Sequence, residues 1–146
     1  MPFERLISQG AIQIHRASRD EMAGLFKLIE RDLKDAAILE LSEDRRFAVA
    51  YNAALQCGTV IMHSMGYRTK GEAHHYHTFE FLREALGSKY TDLLDYFDAC
   101  RSKRNRTDYD AAGEIAGTEV AELIEEANKF YKFTKDWLAK KYPQYL

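Results

Sequence analysis

The sequence predicts an all-α fold, and three observations carry that prediction. Apolar residues recur at spacings of three and four along most of the chain, no strand-type alternation lasts beyond four residues, and only two prolines occur in 146 residues. Serines and glycines stand where helix caps belong. Long segments joined by short links favour antiparallel neighbours, so the architecture expected is an antiparallel, up-and-down helical bundle of four to five long helices.

Residues 1–17 read as an arm packing on the bundle: a turn of helix, then an extended segment beyond Gly10. "SRDE" follows as a capping box in which the Ser18 hydroxyl accepts from the amide of Glu21 and Glu21 reaches back. Met22, Leu25, Phe26, Ile29, Leu33, Ala36 and Ala37 then share one face of a first helix from Arg19 to Leu41. Ser42 caps a second helix from Glu43 to Met65, whose stripe runs from Phe47 to Met65 and which Gly66 is placed to end. "YRTKGE" reads as a loop. A third helix spans Glu72 to Leu86 and closes at Gly87, and the regular part of a fourth runs from Tyr90 to Arg104. Thr118, with Glu119 and Glu122, caps the last helix, and Pro143 lies beyond its end.

A chain of 146 residues fits one domain and buries about two thirds of its unfolded surface without metal or disulfide support. The formal charge of −2 gives no general attraction for polyanions, so any such site is local. Cys57 and Cys100 lie in apolar helical contexts without metal-type spacing, no signal peptide is read at the start, and no apolar run reaches the roughly 20 residues of a membrane helix. Reduced thiols in a cytoplasmic protein, with no membrane association and no cofactor, are the expectation. No glycine-rich phosphate loop or nucleophile elbow occurs.

Two clusters carry chemistry. "RSKRNRTDYD", residues 101–110, holds four cations where the apolar periodicity of the fourth helix stops. Helix-end cations complement the macrodipole, and Asn or Asp suits a following turn, but four exceed what capping needs. Arg101, Arg104 and Lys103 therefore read as a phosphate clamp, because guanidinium presents a planar fork of donors to phosphate oxygens. Asn105 would orient a backbone or a 2′-hydroxyl. Asp95, Asp98, Asp108 and Asp110 read as neutralising neighbours of these arginines. The second cluster is His74, His75 and His77, where a helix N-terminus disfavours protonation and leaves a neutral ring, so that His74 or His75 is a candidate general base. His74 and His77 share a face, yet no carboxylate or cysteine at matching spacing completes a metal site. Because the third and fourth helices are nearly equal in length and tightly linked, the two clusters should meet at one end of the bundle. Phe130, Tyr131, Phe133, Trp137 and Tyr142 offer either a dimer seam or additional core.

Three blocks, "AYNAALQ", "GYRTKGEAHHYHTFEFL" and "DYFDACRSKRNRTDYD", resemble the HEPN superfamily of helical domains associated with RNA and nucleotides, and within it a prokaryotic branch. The similarity runs from about Phe3 to Tyr131. It implies a homodimer, a defence or toxin–antitoxin setting, RNA or nucleotide as ligand, and a nucleotidyltransferase-type protein partner. Ribonuclease members place an Arg, a polar residue directly after it and a His four to six positions beyond, and act without metal. Arg104 and Asn105 match the first two, and Tyr109 stands in place of the His. The resemblance thus implies a catalytic set of Arg104, Asn105 and Tyr109, with the proton-moving residue altered, since a phenol near its ordinary pKa of about 10 is a poor base at neutral pH. The Tyr that some toxin members carry two positions further on is Ala111 here.

Overall fold

A computed structural model describes residues 3–109 and 112–146. The fold is all-α, with one small two-stranded ribbon. In chain order the elements are α1 (Glu4–Ser8), β1 (Ile12–Ile14), α2 (Arg19–Ala36), α3 (Glu43–Ser64), β2 (Tyr67–Thr69), α4 (His74–Leu86), α5 (Thr91–Tyr109) and α6 (Gly117–Lys141). Short 3₁₀ turns occupy Ser88–Tyr90 and Pro143–Tyr145.

α3 is the central helix, packed by α2, α4, α5 and α6. Its sequence suits that position: Phe47, Ala50, Tyr51, Ala53, Ala54, Cys57, Val60, Ile61 and Met62 are all buried, and its small residues let neighbouring helices approach. Gly58 marks the closest approach, since a Cβ there would lie 2.7 Å from Leu82 Cδ1 and 3.3 Å from Thr78 Cγ2 of α4.

The caps form as the sequence predicts at two points. Ser18 Oγ accepts from the Glu21 amide at 3.1 Å, and Ser42 Oγ accepts from the Arg45 amide at 3.1 Å. The Glu21 carboxylate bonds with His15 and His63. The first helix ends at Ala36 rather than Leu41, where Arg46 Nε donates to the Ala36 carbonyl at 2.8 Å and closes it. The apolar residues beyond find no core there: Ile38 and Leu39 are 40% and 78% exposed. The last helix begins at Gly117, ahead of Thr118, because Glu119 Oε1 accepts from the Ala116 amide at 3.1 Å and places the cap two residues earlier.

The expected loop at "YRTKGE" contains β2, which pairs antiparallel with β1 in the register Ile12↔Thr69, Gln13↔Arg68, Ile14↔Tyr67. This ribbon changes the topology. Gln56 meets Asp32 and His63 meets Glu21, so α2 and α3 are antiparallel. Tyr51 meets His75 and Gly58 meets Leu82, so α3 and α4 run the same way. A strict up-and-down succession is therefore broken at this link: residues 65–73, at about 3.3 Å each when extended, span about 30 Å and carry the chain back along α3. α5 is antiparallel to both α4 and α6, with Arg83 on Asp95 at 3.0 Å and Tyr90 on Phe133 at 5.0 Å between ring centroids.

α5 also continues through the charged stretch to Tyr109 instead of stopping near Arg104. Its cations are balanced by acids of the same or following elements: Arg101 Nε donates to Asp98 Oδ1 at 2.8 Å, Arg106 pairs with Glu114 at 2.7 Å, and Lys103 pairs with Glu119. Asn105 is thus helical and not part of a turn. At the end of α6, Phe130 is buried against Phe97 with ring centroids 5.3 Å apart, and Tyr131, Phe133, Trp137 and Tyr142 pack partly buried on the core. Phe130 is thus core, and the other four form its partly buried margin.

Candidate functional site

The antiparallel pair α4 and α5 brings the two clusters together. Ala73, His74, His75 and Tyr76 at the start of α4 face Arg101 and Asn105 of α5 across a cleft of about 220 Å³. Arg101 and Asn105 are four apart and share a helix face, which is why both reach the cleft. Ala73 caps α4 in the left-handed region at φ 58°, a conformation costing a non-glycine residue roughly 1–2 kcal/mol. This strained residue forms part of the cleft wall.

Arg104 is adjacent. Its guanidinium carbon lies 5.9 Å from the centroid of the Tyr51 ring, and Nη1 donates to Asn105 Oδ1 at 3.5 Å. Arg101 lies 6.0 Å from the centroid of Tyr76. Lys103, read from sequence as part of the same clamp, lies elsewhere: with Glu119 it lines a second depression of about 350 Å³. That depression also contains Cys100, whose thiol is pushed up to about 11 chiefly by burial and so stays protonated at neutral pH. Burial likewise pushes the Cys57 thiol up to about 12. Tyr109 belongs to the last turn of α5, but its side chain, that of Asp108, and residues 110–111 lie outside the described residues.

His75 is the best-defined imidazole of the cleft. Burial first, then the charges of Arg104 and Arg101, hold its pKa below the ordinary histidine value, so the ring is neutral at pH 7. The Tyr51 hydroxyl, kept protonated by burial, lies 3.1 Å from His75 Nδ1. A phenol that stays protonated needs an acceptor, and Nδ1 serves that role; the ring proton then resides on Nε2. In this tautomer His75 offers a donor at Nε2. His74 Nδ1 lies 2.8 Å from Thr69 Oγ1, and His77 Nδ1 lies 2.8 Å from Glu80 Oε1. Tyr51, which reads as core from its place on the apolar stripe, is buried in the core and also brings its hydroxyl to His75.

A second group of titratable residues gathers where the arm meets the end of α3. Glu21 accepts from His15 Nε2 at 2.9 Å and from His63 Nδ1 at 3.0 Å, and the two rings lie 4.6 Å apart. Burial raises the Glu21 carboxyl, but the bonds from His15 and His63 outweigh it and hold the carboxyl below its ordinary value. Burial lowers His63 against the opposing pull of Glu21. No sequence spacing links residues 15, 21 and 63; their meeting depends on the ribbon.

No protein-family model matches the chain, and no curated protein or solved structure matches it either.

Proposed function

We propose that the chain is an HEPN-type domain that acts as a homodimer and binds the phosphate of RNA or of a nucleotide in the cleft between α4 and α5. The observation that carries this reading is the convergence of Arg101 and Asn105 with the neutral His75 ring around one opening. A volume of about 220 Å³ is smaller than typical small-molecule pockets of about 300–1,000 Å³ and suits a phosphate with its sugar. Arg101 supplies charge, Asn105 an amide for a hydroxyl or backbone oxygen, and His75 a neutral donor. Weak metal-independent ribonuclease activity is the catalytic extension, with Arg104, Asn105 and Tyr109 as the family-type set and the altered Tyr109 limiting proton transfer.

The test is fluorescence anisotropy and gel cleavage of a mixed-sequence single-stranded RNA at low salt with EDTA, comparing wild type with Arg101→Ala and Arg104→Ala. Wild type should bind, with affinity falling steeply as salt rises, and Arg101→Ala should weaken binding by about tenfold, the value of one charge-assisted contact of about 1.4 kcal/mol. Equal affinity in wild type and both variants, or none at all, would sink the reading. A second reading is favoured by the internal pairing of Arg101, Lys103 and Arg106 with Asp98, Glu119 and Glu114: a non-catalytic dimeric scaffold for a protein partner of nucleotidyltransferase type. An intact dimer without RNA affinity would support that alternative.

A further inference from the structure

From the juxtaposition of His15, Glu21 and His63 we infer a binding site for one divalent transition-metal ion of the zinc class. The ligand atoms are His15 Nε2, a Glu21 carboxylate oxygen and His63 Nδ1, all within 4.8 Å of one another. Tetrahedral zinc, with bonds of about 2.0–2.1 Å, sets its ligands about 3.3 Å apart. Glu21 Oε2 lies 3.0 Å from His15 Nε2 and 3.0 Å from His63 Nδ1, separations that need to open by only a few tenths of an ångström. The ion would take the place of the protons that now bridge carboxylate and imidazoles.

The donor set selects the metal. Two imidazoles and one carboxylate suit zinc, cobalt, nickel or copper, whereas calcium and magnesium prefer shells of oxygen. Three protein ligands leave a fourth position for water, and the side chains are reachable from solvent, at 17% exposed for His15 and His63 and 32% for Glu21. Arg68 adds a positive charge near His63, so affinity rests on the direct ligand bonds.

The three ligands belong to separate elements. His15 follows β1, Glu21 is in the first turn of α2, and His63 is in the last turn of α3. One ion would fasten the N-terminal arm and α2 to the central helix. The site is distinct from the α4–α5 cleft: His63 is twelve residues along α3 from Tyr51, about 18 Å at 1.5 Å per residue. The inference is thus independent of the phosphate-binding reading.

The test uses the full chain after EDTA treatment and dialysis, titrated with Zn²⁺ by calorimetry and with Co²⁺ by visible absorption. One ion per chain, d–d bands of four-coordinate Co²⁺ and a Zn²⁺-dependent rise in Tm are expected. His63→Ala and Glu21→Ala should each weaken binding at least about tenfold, while a His74→Ala/His77→Ala double variant should bind as wild type does. Should those variants fail to fold, His15→Ala, on the extended arm, carries the same expectation. Absence of binding, unchanged binding in His15→Ala, or loss of binding in the His74/His77 variant would overturn the site.

Discussion

The α4–α5 cleft and the His15–Glu21–His63 knot both hold part-buried histidines, yet their imidazoles have opposite neighbours, cations in the cleft and a carboxylate in the knot. In the knot one carboxylate accepts from two imidazoles, so each polar group has a partner of complementary character. In the cleft His75 faces Arg104 and Arg101, and its bonded partner is the neutral phenol of Tyr51. The knot is complete within the folded chain and should contribute to stability. In the cleft Arg101, Asn105 and His75 line one opening, with Arg101 Nε also donating to Asp98.

The largest effect should separate the two regions by stability alone. Glu21→Ala removes the shared acceptor of two part-buried rings and should cost about 2–3 kcal/mol, since hydrogen bonds to charged groups contribute more than neutral ones. Arg101→Ala removes one part-exposed pair with Asp98 and should cost about 0.5 kcal/mol or less. Urea unfolding in EDTA measures both. Equal costs would erase the energetic difference between the knot and the cleft.

A smaller effect should move one region and spare the other. Gly58 sits on α3 between Tyr51 and His63, against Leu82 of α4. An added methyl would meet Leu82 Cδ1 at 2.7 Å, and Leu82 is fully buried with little room to turn. Gly58→Ala gains about 0.5–1 kcal/mol of helix propensity but loses more to overpacking, for a net cost of about 1 kcal/mol. Displacement of α4 carries His75 with it, so NMR shifts should concentrate at Tyr51, His75 and Arg101 and leave His15 and His63 unmoved. Shifts of equal size in both regions would show that the two are mechanically coupled.

Much of this contrast follows sequence distance. The caps at Ser18 and Ser42 and the stop at Gly87 are local signals, and the structure keeps them. That His74–Tyr76 meets Arg101 and Asn105 was legible from the lengths of two helices and one tight turn. Three-residue strands are too short to declare a period, so the ribbon escaped sequence reasoning, and with it the parallel course of α3 and α4. The knot was hidden for the same reason. Glu21 carried a good local explanation as half of a capping box, while the partners that claim its carboxylate are set by tertiary packing. The continuation of α5 to Tyr109 was obscured because a charged run has no apolar face to show, although Asp98, Glu114 and Glu119 neutralise it.

The smallest predicted effect tests the electrostatic side of the comparison at one atom. Burial and the charges of Arg104 and Arg101 lower the His75 pKa, with His74 adding to the same direction. The unfolded chain takes up this proton near the ordinary value of about 6.5, before the folded chain does. Folding stability from His75 is therefore fully present above about 6.5 and is lost as pH falls from there toward the folded-state value, where the slope ends. An NMR titration of the His75 ring should show a midpoint below 6.5, and Arg101→Ala should raise it by removing one repelling charge. Inorganic phosphate bound in the cleft should raise it as well, because an anion favours the imidazolium. A midpoint at or above 6.5, or one that ignores both changes, would mean that Arg101 and His75 do not sense each other across the opening, and the cleft would no longer differ in kind from the knot.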